Sequence, residues 1–428
     1  GEDGSVARLD EPKTRFTGLW RHANFLRLWT GQTISQFGSQ ITLLALPLAA
    51  ALTLHATPAE MGILSAAETA PFLLVGLFAG VWVDRLHRRP ILLITDFARG
   101  VLLLAIPLAA LLGALTIGLL YAVAFLVGIL TVFFDVAYQS FLPALVGRAQ
   151  LVEGNSKLEV SRSAAQIAGP GAAGGLVQLV TAPIAIVVDA ASFFISALFL
   201  VFVRVPEPAP APRIAGRSIW REIGEGLRVV VHNPLLRAIA GSTATSNLGG
   251  NIAQAILILY LTRPLGLGAG VIGVIFATGS VGFLCAALLA ERIAGRFGLG
   301  PAIVGSIAVG ALGALLIPIA QRPAGFAIPL LIASQFILGG SGTVYNINQV
   351  SLRQAITPDH LLGRMNATMR FIVWGTLPIG ALIGGVLGGA IGLRPTLIVG
   401  AVIQSGAFLW TYFSPVRALR EQPEEADA

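Results

Sequence analysis

The amino-acid sequence predicts an all-α membrane protein whose twelve spans form two pseudo-symmetric six-helix bundles. Three observations lead there. Of 428 residues, 55% are hydrophobic and only 11% are charged, and a mean hydropathy of +0.81 lies far outside the range of soluble domains. Twelve apolar runs are each long enough to cross a hydrocarbon core about 30 Å thick, which takes about 20 helical residues. The chain also repeats itself at an offset of 210 or 211 positions: Phe25 to Gly31 returns as Leu235 to Gly241, Ser35 to Gln40 as Ser246 to Asn251, Arg85 to Pro90 as Arg296 to Pro301, and Gly174 with Gly175 as Gly384 with Gly385. Four echoes in the same order make the chain a duplicated unit of half its length.

Along the chain, a polar segment (1–25) precedes the first bundle (26–204), whose spans are placed at 26–54, 61–83, 90–112, 118–140, 160–181 and 183–203. The first span has the length and polar content of a retained helix, not of a secretory signal. A linker (205–235) follows. Within it, Pro206 to Pro212 forms a stiff extended spacer, and residues 218–231 place Ile219, Ile223, Leu227 and Val230 opposite Arg221, Glu222, Glu225 and Arg228, the pattern of an amphipathic helix lying on a membrane surface. The second bundle (236–414) has spans at 237–261, 270–290, 301–320, 326–348, 365–391 and 395–413, and a tail (415–428) closes the chain.

Basic residues are retained on the cytoplasmic side. With a cytoplasmic N-terminus, only Arg263, Arg322 and Arg394 of the 28 lysines and arginines fall outside, leaving 25 inside. Both termini are therefore expected in the cytoplasm. This topology accounts for the net charge of +7, so the charge gives no support to nucleic-acid binding. The one cysteine, Cys285, lies in the eighth span, excludes an intrachain disulfide or a cysteine-based zinc site, and reads as a small packing residue. His22, His55, His87, His232 and His360 form no evident metal cluster, and no metal or cofactor is expected.

Two homologous helical halves with a site between them near the midplane are an architecture of secondary transporters. Amides along the first span, Gln32, Gln36 and Gln40, are answered on the seventh by Asn247, Asn251 and Gln254. Amides inside a membrane must face protein or water, so they either bond neighbouring helices or line a substrate path; the path is the preferred reading. By the same logic Tyr138, Gln139, Gln335, Tyr345 and Asn346 are candidate cavity residues. Carboxylates in the spans are candidates for proton coupling, because protonation is the usual escape from burying a charge. In order of preference these are Glu68, Asp135 and Asp189, whereas Asp96 and Arg99, at i and i+3, are expected to pair structurally.

The loop between the second and third spans reads Gly80-Val-Trp-Val-Asp84-Arg85-Leu-His87-Arg88-Arg89-Pro90. It resembles the loop 2-3 signature of the major facilitator superfamily, with His87 where the family usually has glycine; in the second half Gly295 and Arg296 replace Asp84 and Arg85. The resemblance implies the major facilitator fold and a gate built from Gly80, Asp84, Arg85, Arg88 and Arg89. It also implies that the first, fourth, seventh and tenth spans line the cavity. Phe141 to Val146, Ala168 to Pro170, Ala173 to Gly175, Glu225 to Arg228, Asn233 to Arg237 and Gly363 with Arg364 resemble the transmembrane secretion effector branch, also called the drug:proton antiporter-3 branch, which includes macrolide efflux proteins and enterobactin exporters. Gly169, Pro170, Gly174 and Gly175 match the antiporter motif imperfectly. With Gly171, and with Gly380, Gly384 and Gly388 on the eleventh span, these glycines are expected to pack helices closely. The fourth span lacks the arginine that drug:proton antiporters often carry there.

The expected function is proton-coupled export of small amphipathic compounds such as drugs or antibiotics by alternating access across a bacterial inner membrane. The chain would act as a monomer among membrane lipids, with the proton gradient in place of any cofactor. Export of a dedicated siderophore or other metabolite, or movement of a lysolipid, is the alternative within the class; a channel or a membrane enzyme is the remote one. Gly268 to Gly273 mimics a dinucleotide fingerprint without the preceding strand, and no nucleotide-binding or hydrolase motif is present.

Overall fold

The structure, a computed structural model, describes residues 18–83, 85–206 and 219–421. Asp84, the spacer from 207 to 212 and the tail from 422 lie outside them. Fourteen α-helices and no strand occupy the described residues: α1 (Ala23–Leu48), α2 (Pro58–Leu74), α3 (Gly76–Val83), α4 (Arg88–Leu111), α5 (Ile117–Val146), α6 (Leu151–Leu179), α7 (Ala182–Phe202), α8 (Ile219–His232), α9 (Pro234–Thr262), α10 (Ala269–Phe297), α11 (Leu299–Ile319), α12 (Ala324–Ile356), α13 (Asp359–Ile391) and α14 (Leu393–Tyr412). A π-helical turn, Ala49–Thr53, extends α1. Among the described residues, nine segments are long and apolar enough to cross a membrane by themselves. The other three of the twelve spans are α2 with α3, α6 and α9, which carry a break or a polar face and pack against neighbouring helices on more than one side.

The second span departs from the expected single helix. Pro71 has no N–H to donate, which weakens the helical ladder. The helix turns at Val75, and α3 restarts from it, with Phe78 and Ala79 donating to the Val75 carbonyl. At the other end of α2, Thr57 and Glu60 form a reciprocal capping box, Glu60 N to Thr57 Oγ1 at 3.3 Å and Thr57 N to Glu60 Oε2 at 2.8 Å. Thr57→Ala is expected to cost about 1 kcal/mol; a melting temperature unchanged from wild type would show that the cap contributes nothing.

Short connections make successive spans antiparallel, so their ends sort into two groups. We call the end carrying residues 85–87, the 148–150 turn and α8 the basic end, and the opposite one the far end. In the first bundle α1 packs on α6 and α7, α5 on α2 and α4, and α4 on α7. In the second, α9 packs on α13 and α14, α12 on α10 and α11, and α11 on α14, so every pairing has its repeat counterpart.

The bundles meet along α2 with α13 and α6 with α10. At both seams backbone lies on backbone: a Cβ at Gly62 would sit 2.8 Å from Gly385 Cα, and one at Gly174 2.8 Å from Gly273 Cα. The glycine expectation holds on α13, where Gly380 faces Asn251, Gly384 faces Ile252 and Gly388 faces Pro58. Gly169 faces the Gln40 side chain. It does not hold for Gly175, which has open space around it among the described residues, nor for Gly171, whose nearest neighbour is the Ala277 Cβ at 4.0 Å. Gly174 makes the close crossing because its face of α6, a third of a turn away, is the one turned to α10.

Helix α8 is present as expected, and part of it docks on protein. Gly226 abuts the Arg364 backbone, Glu225 pairs with Arg364 Nη1 at 2.9 Å, and Val230 is buried beside Leu236 and Met365, while Leu227 and Val231 remain exposed. Cys285 is exposed rather than packed inside. It lines an apolar groove between α10, α11 and α12.

Candidate functional site

Three cavities follow from this packing. A central one of about 410 Å³ lies between the bundles and is lined by Gln40, Gln166, Gln254, Ser280 and Gln335 among apolar residues such as Leu44, Phe276 and Phe283. Below it, in the basic-end half of the first bundle, a cavity of about 430 Å³ is lined by Gln32, Gln36, Arg99, Asp135, Tyr138, Glu159 and Arg162. The counterpart in the second bundle, about 480 Å³, is lined by Thr243, Asn247, Tyr345, Asn346, Gln349, Arg353, Arg370 and Trp374.

Closure lies at the far end. Among the described residues, three hydrogen bonds join the bundles, and all run from the middle to that end: Ser280 Oγ donates to the Gln166 carbonyl at 2.6 Å, Gly270 N to Gln178 Oε1 at 3.3 Å, and Arg263 Nη2 to the Ala56 carbonyl. The Gly62–Gly385 and Gly174–Gly273 crossings lie in the same half. Both lower cavities lie in the opposite, basic-end half.

The structure brings most of the expected cavity residues to these spaces. Gln40, Gln254 and Gln335 meet in the central cavity; Gln32, Gln36 and Tyr138 line the first lower cavity, and Asn247, Tyr345 and Asn346 the second. Two expected members belong elsewhere. Gln139 is exposed and is not among the lining residues. Asn251 donates back to the Asn247 carbonyl at 2.8 Å and faces Gly380 at the seam between α9 and α13.

The carboxylates separate by surroundings. Asp135 is exposed within the first lower cavity. Asp189 is 1% exposed, and its carboxylate accepts from Thr42 Oγ1, from Ser39 Oγ at 3.5 Å and from Ser192 Oγ at 3.1 Å, which fastens α7 to α1. Glu68 is half-buried on α2, where its backbone approaches α5 at Gly128, and it is not among the residues lining any of the three cavities.

Asp96 and Arg99 pair as expected, and Ser196 Oγ donates to the second Asp96 oxygen at 2.6 Å. The Arg99 guanidinium also lies between the Phe134 and Phe193 rings, 4.4 and 4.2 Å from their centroids, and lines the cavity that holds Asp135. An intramembrane arginine therefore does reach that cavity, from the third span instead of the fourth.

Of the gate residues, Asp84 lies outside the described set. Arg89 donates to the last carbonyls of α7, at 3.3 Å to Leu200 and 2.6 Å to Val201. His87 stands just before α4 in extended conformation and its side chain makes no capping hydrogen bond, Arg88 begins the helix, and Arg85 is exposed. A Cβ at Gly80 would meet no described atom within 4 Å.

Sequence reasoning missed Arg353, Gln349, Trp374, Gln166 and Ser280 as lining residues. A signal was present for the first three. Tyr345, Gln349 and Arg353, and Asn366, Arg370 and Trp374, each recur at i, i+4 on one helix face. Single residues such as Gln166 carry no such periodicity.

The sequence profile of the Major Facilitator Superfamily matches residues 28–247 and again 239–428, which together take in nearly the whole chain. The chain belongs to the major facilitator superfamily. This transporter is 29% identical over 377 residues to the multidrug efflux pump Tap of Mycolicibacterium fortuitum, covering 84% of this chain and 88% of that one. It is 25% identical over 428 residues to the enterobactin exporter EntS of Citrobacter koseri, covering 96% of each. Among solved structures it superposes with a TM-score of 0.73 at 16% identity on a bacterial homologue of the iron transporter ferroportin in the inward-facing state, covering 92% of this chain and 99% of that one. A bacterial homologue of the lysosomal transporter Spinster, inward-facing and unoccupied, gives 0.68 at 14% identity, covering 93% and 97%. These structural likenesses establish the fold of two six-helix bundles, and membership of the superfamily makes the chain a multi-pass membrane transporter rather than an enzyme.

Proposed function

We propose that this transporter exports small amphipathic compounds from a bacterial cytoplasm in exchange for protons, by alternating access between its two bundles. The observation that carries the reading is the central cavity, walled by apolar side chains and four amides, with a polar cavity in the basic-end half of each bundle. Apolar walls with a few convergent polar groups suit amphipathic ligands of varied shape. The basic end is taken as cytoplasmic because arginine is concentrated there, so the conformation described is inward-open, ready to accept cargo from inside. Similarity to a multidrug efflux pump and to an enterobactin exporter supports the outward direction.

Asp135 is assigned as the coupling acid. It is exposed in the first lower cavity, where water and cargo reach it, and Arg99 lines the same space. A carboxylate there is able to take a proton in one state and lose it in the other. Asp189 is committed to three hydroxyl donors and serves structure. Glu68 stands apart from the three cavities.

The test is substrate-driven proton movement in proteoliposomes holding a pH-sensitive dye, with macrolides, tetracyclines and lipophilic cations as cargo. Asp135→Asn, which has no proton to exchange, is expected to lower the proton flux at least about tenfold, while substrate binding persists. Glu68→Gln is expected to retain flux. Flux that survives in Asp135→Asn, or disappears in Glu68→Gln alone, would overturn the assignment. Cargo movement with no proton movement in wild type would overturn antiport itself.

A further inference from the structure

The duplication makes the two lower cavities comparable position by position, and their charges differ. In the first, carboxylates stand at Asp135 and Glu159. At offsets of 210 and 211 the second half has Tyr345 and Asn346 in place of Asp135, and Met369 and Arg370 in place of Glu159. Arg353 stands where the first half has Pro143 and Leu142. The described residues lining the second cavity therefore include two arginines and no carboxylate.

Neither arginine is neutralised by the residues around it. Arg353, in the last turn of α12, makes no side-chain hydrogen bond or ion pair among the described residues, and its Nε is buried without a partner. Arg370 lies over the Trp374 ring at 5.6 Å and makes no ion pair there. The Glu225 carboxylate of α8, which docks on this end of α13, is taken by Arg364 and Arg221. Gln349, 4% exposed, donates from Nε2 to Asn346 Oδ1 at 3.1 Å, and its buried Oε1 has no hydrogen-bond partner. Tyr345 and Thr243 bond each other at 2.6 Å, closing the wall beside them.

The unpaired Arg353 guanidinium, half-buried, is unfavourable until an anion reaches it, whereas Arg370 is exposed and free to turn toward one; the planar fork of each suits a carboxylate, phenolate or phosphate. Trp374 supplies a ring face beside Arg370. We infer that the lower cavity of the second bundle is an anion-recognition subsite that binds the acidic group of an amphipathic aromatic molecule through Arg353 and Arg370, with Trp374 against its ring. This inference rests on the exporter reading and narrows its substrate class: cargo carries an acidic group toward the second bundle, and the Asp135 side handles the proton or a basic group. An anionic lipid headgroup would satisfy the same chemistry, and lipid composition separates the two sources.

The experiment is equilibrium binding of three isosteric probes, 2-naphthoate, 2-naphthylmethylammonium and 2-naphthalenemethanol, to the purified full chain in nanodiscs of zwitterionic lipid. Wild type is expected to bind the carboxylate most tightly. Arg353→Gln and Arg370→Gln should each weaken naphthoate binding about tenfold, the effect of removing one charged hydrogen-bond donor, and leave the alcohol unchanged. Arg353→Lys and Arg370→Lys, which keep the charge, should recover part of the loss and show that the fold is intact. Naphthoate binding that persists in discs containing phosphatidylglycerol assigns the site to soluble cargo; competition by that lipid assigns it to a headgroup. Equal binding of all three probes, or glutamine variants that lose the alcohol and the carboxylate alike, would sink the subsite. Because binding is read without a gradient, the outcome is independent of whether proton antiport is confirmed.

Discussion

Asp96→Ala is expected to destabilise the protein by about 3–5 kcal/mol, the penalty for leaving one member of a buried ion pair alone. Asp96 is 0% exposed and Arg99 6% exposed, so neither recovers much hydration when its partner is lost. The pair is also the junction of three helices. Asp96 and Arg99 belong to α4, Ser196 of α7 donates to Asp96, and Arg99 reaches Thr131 on α5 at 3.4 Å between the rings of Phe134 and Phe193. Removing the carboxylate strands the guanidinium and leaves the Ser196 hydroxyl without its acceptor. Thermal melting of the purified protein in detergent measures the effect. The double variant Asp96→Ala with Arg99→Met is expected to recover about half of the loss, because it removes both charges and replaces the guanidinium with an apolar chain of similar length. A single variant within about 1 kcal/mol of wild type, the range of exposed pairs, would show that water already reaches the site.

Gly385→Val should remove transport, and should do so by preventing the far end from closing. A Cβ at this position would lie 2.9 Å from Gly62 Cα and 2.9 Å from the Pro58 carbonyl oxygen. Both are backbone atoms on the opposing helix, so no rotamer change relieves the clash. Overpacking of this kind costs about 1–3 kcal/mol when the structure must absorb it. Here the cost falls on one conformation, since the seam between α2 and α13 is made at the far end in the state described, and any state that separates that end escapes it. An alternating transporter held to such a state cannot present its cavity to the other side. With Cys285 replaced by serine, spin labels at Leu112→Cys and Ala390→Cys, both at the far end, are expected to move apart by several ångströms in Gly385→Val. Gly273→Val, at the repeat-related seam, should reproduce the shift. Unchanged label distances with transport intact would mean that the two glycines do not govern closure.

Much of the fold was legible in the sequence because bilayer solvation is a strong local constraint. A helix must satisfy its own backbone and show an apolar exterior, so span number, order and the duplication could be read from apolar runs and the Phe25 and Leu235 echoes. Capping was legible too, as at Thr57 with Glu60. The break at Val75 was not, because Pro71 lies inside an apolar run and many such prolines are tolerated without one. The cavity amides Gln32, Gln36, Gln40 and Gln254 were found because a buried amide has few places to go.

Tertiary structure decided how these elements are used. Three carboxylates that look alike as single letters part company: Asp189 is held by hydroxyls of α1 and its own helix, Glu68 stands apart from the cavities, and Asp135 meets open space beside Arg99. Gly174, not Gly175, makes the crossing, because the choice depends on which face of α6 meets α10. Arg353 and Arg370, 17 positions apart on different helices, become neighbours in one cavity only when α12 and α13 fold together. The sequence by itself determined what solvent each segment requires, a property of local composition. The partners of each polar group depend on the angular placement of helices distant in sequence, and packing across the two bundles alone sets that placement.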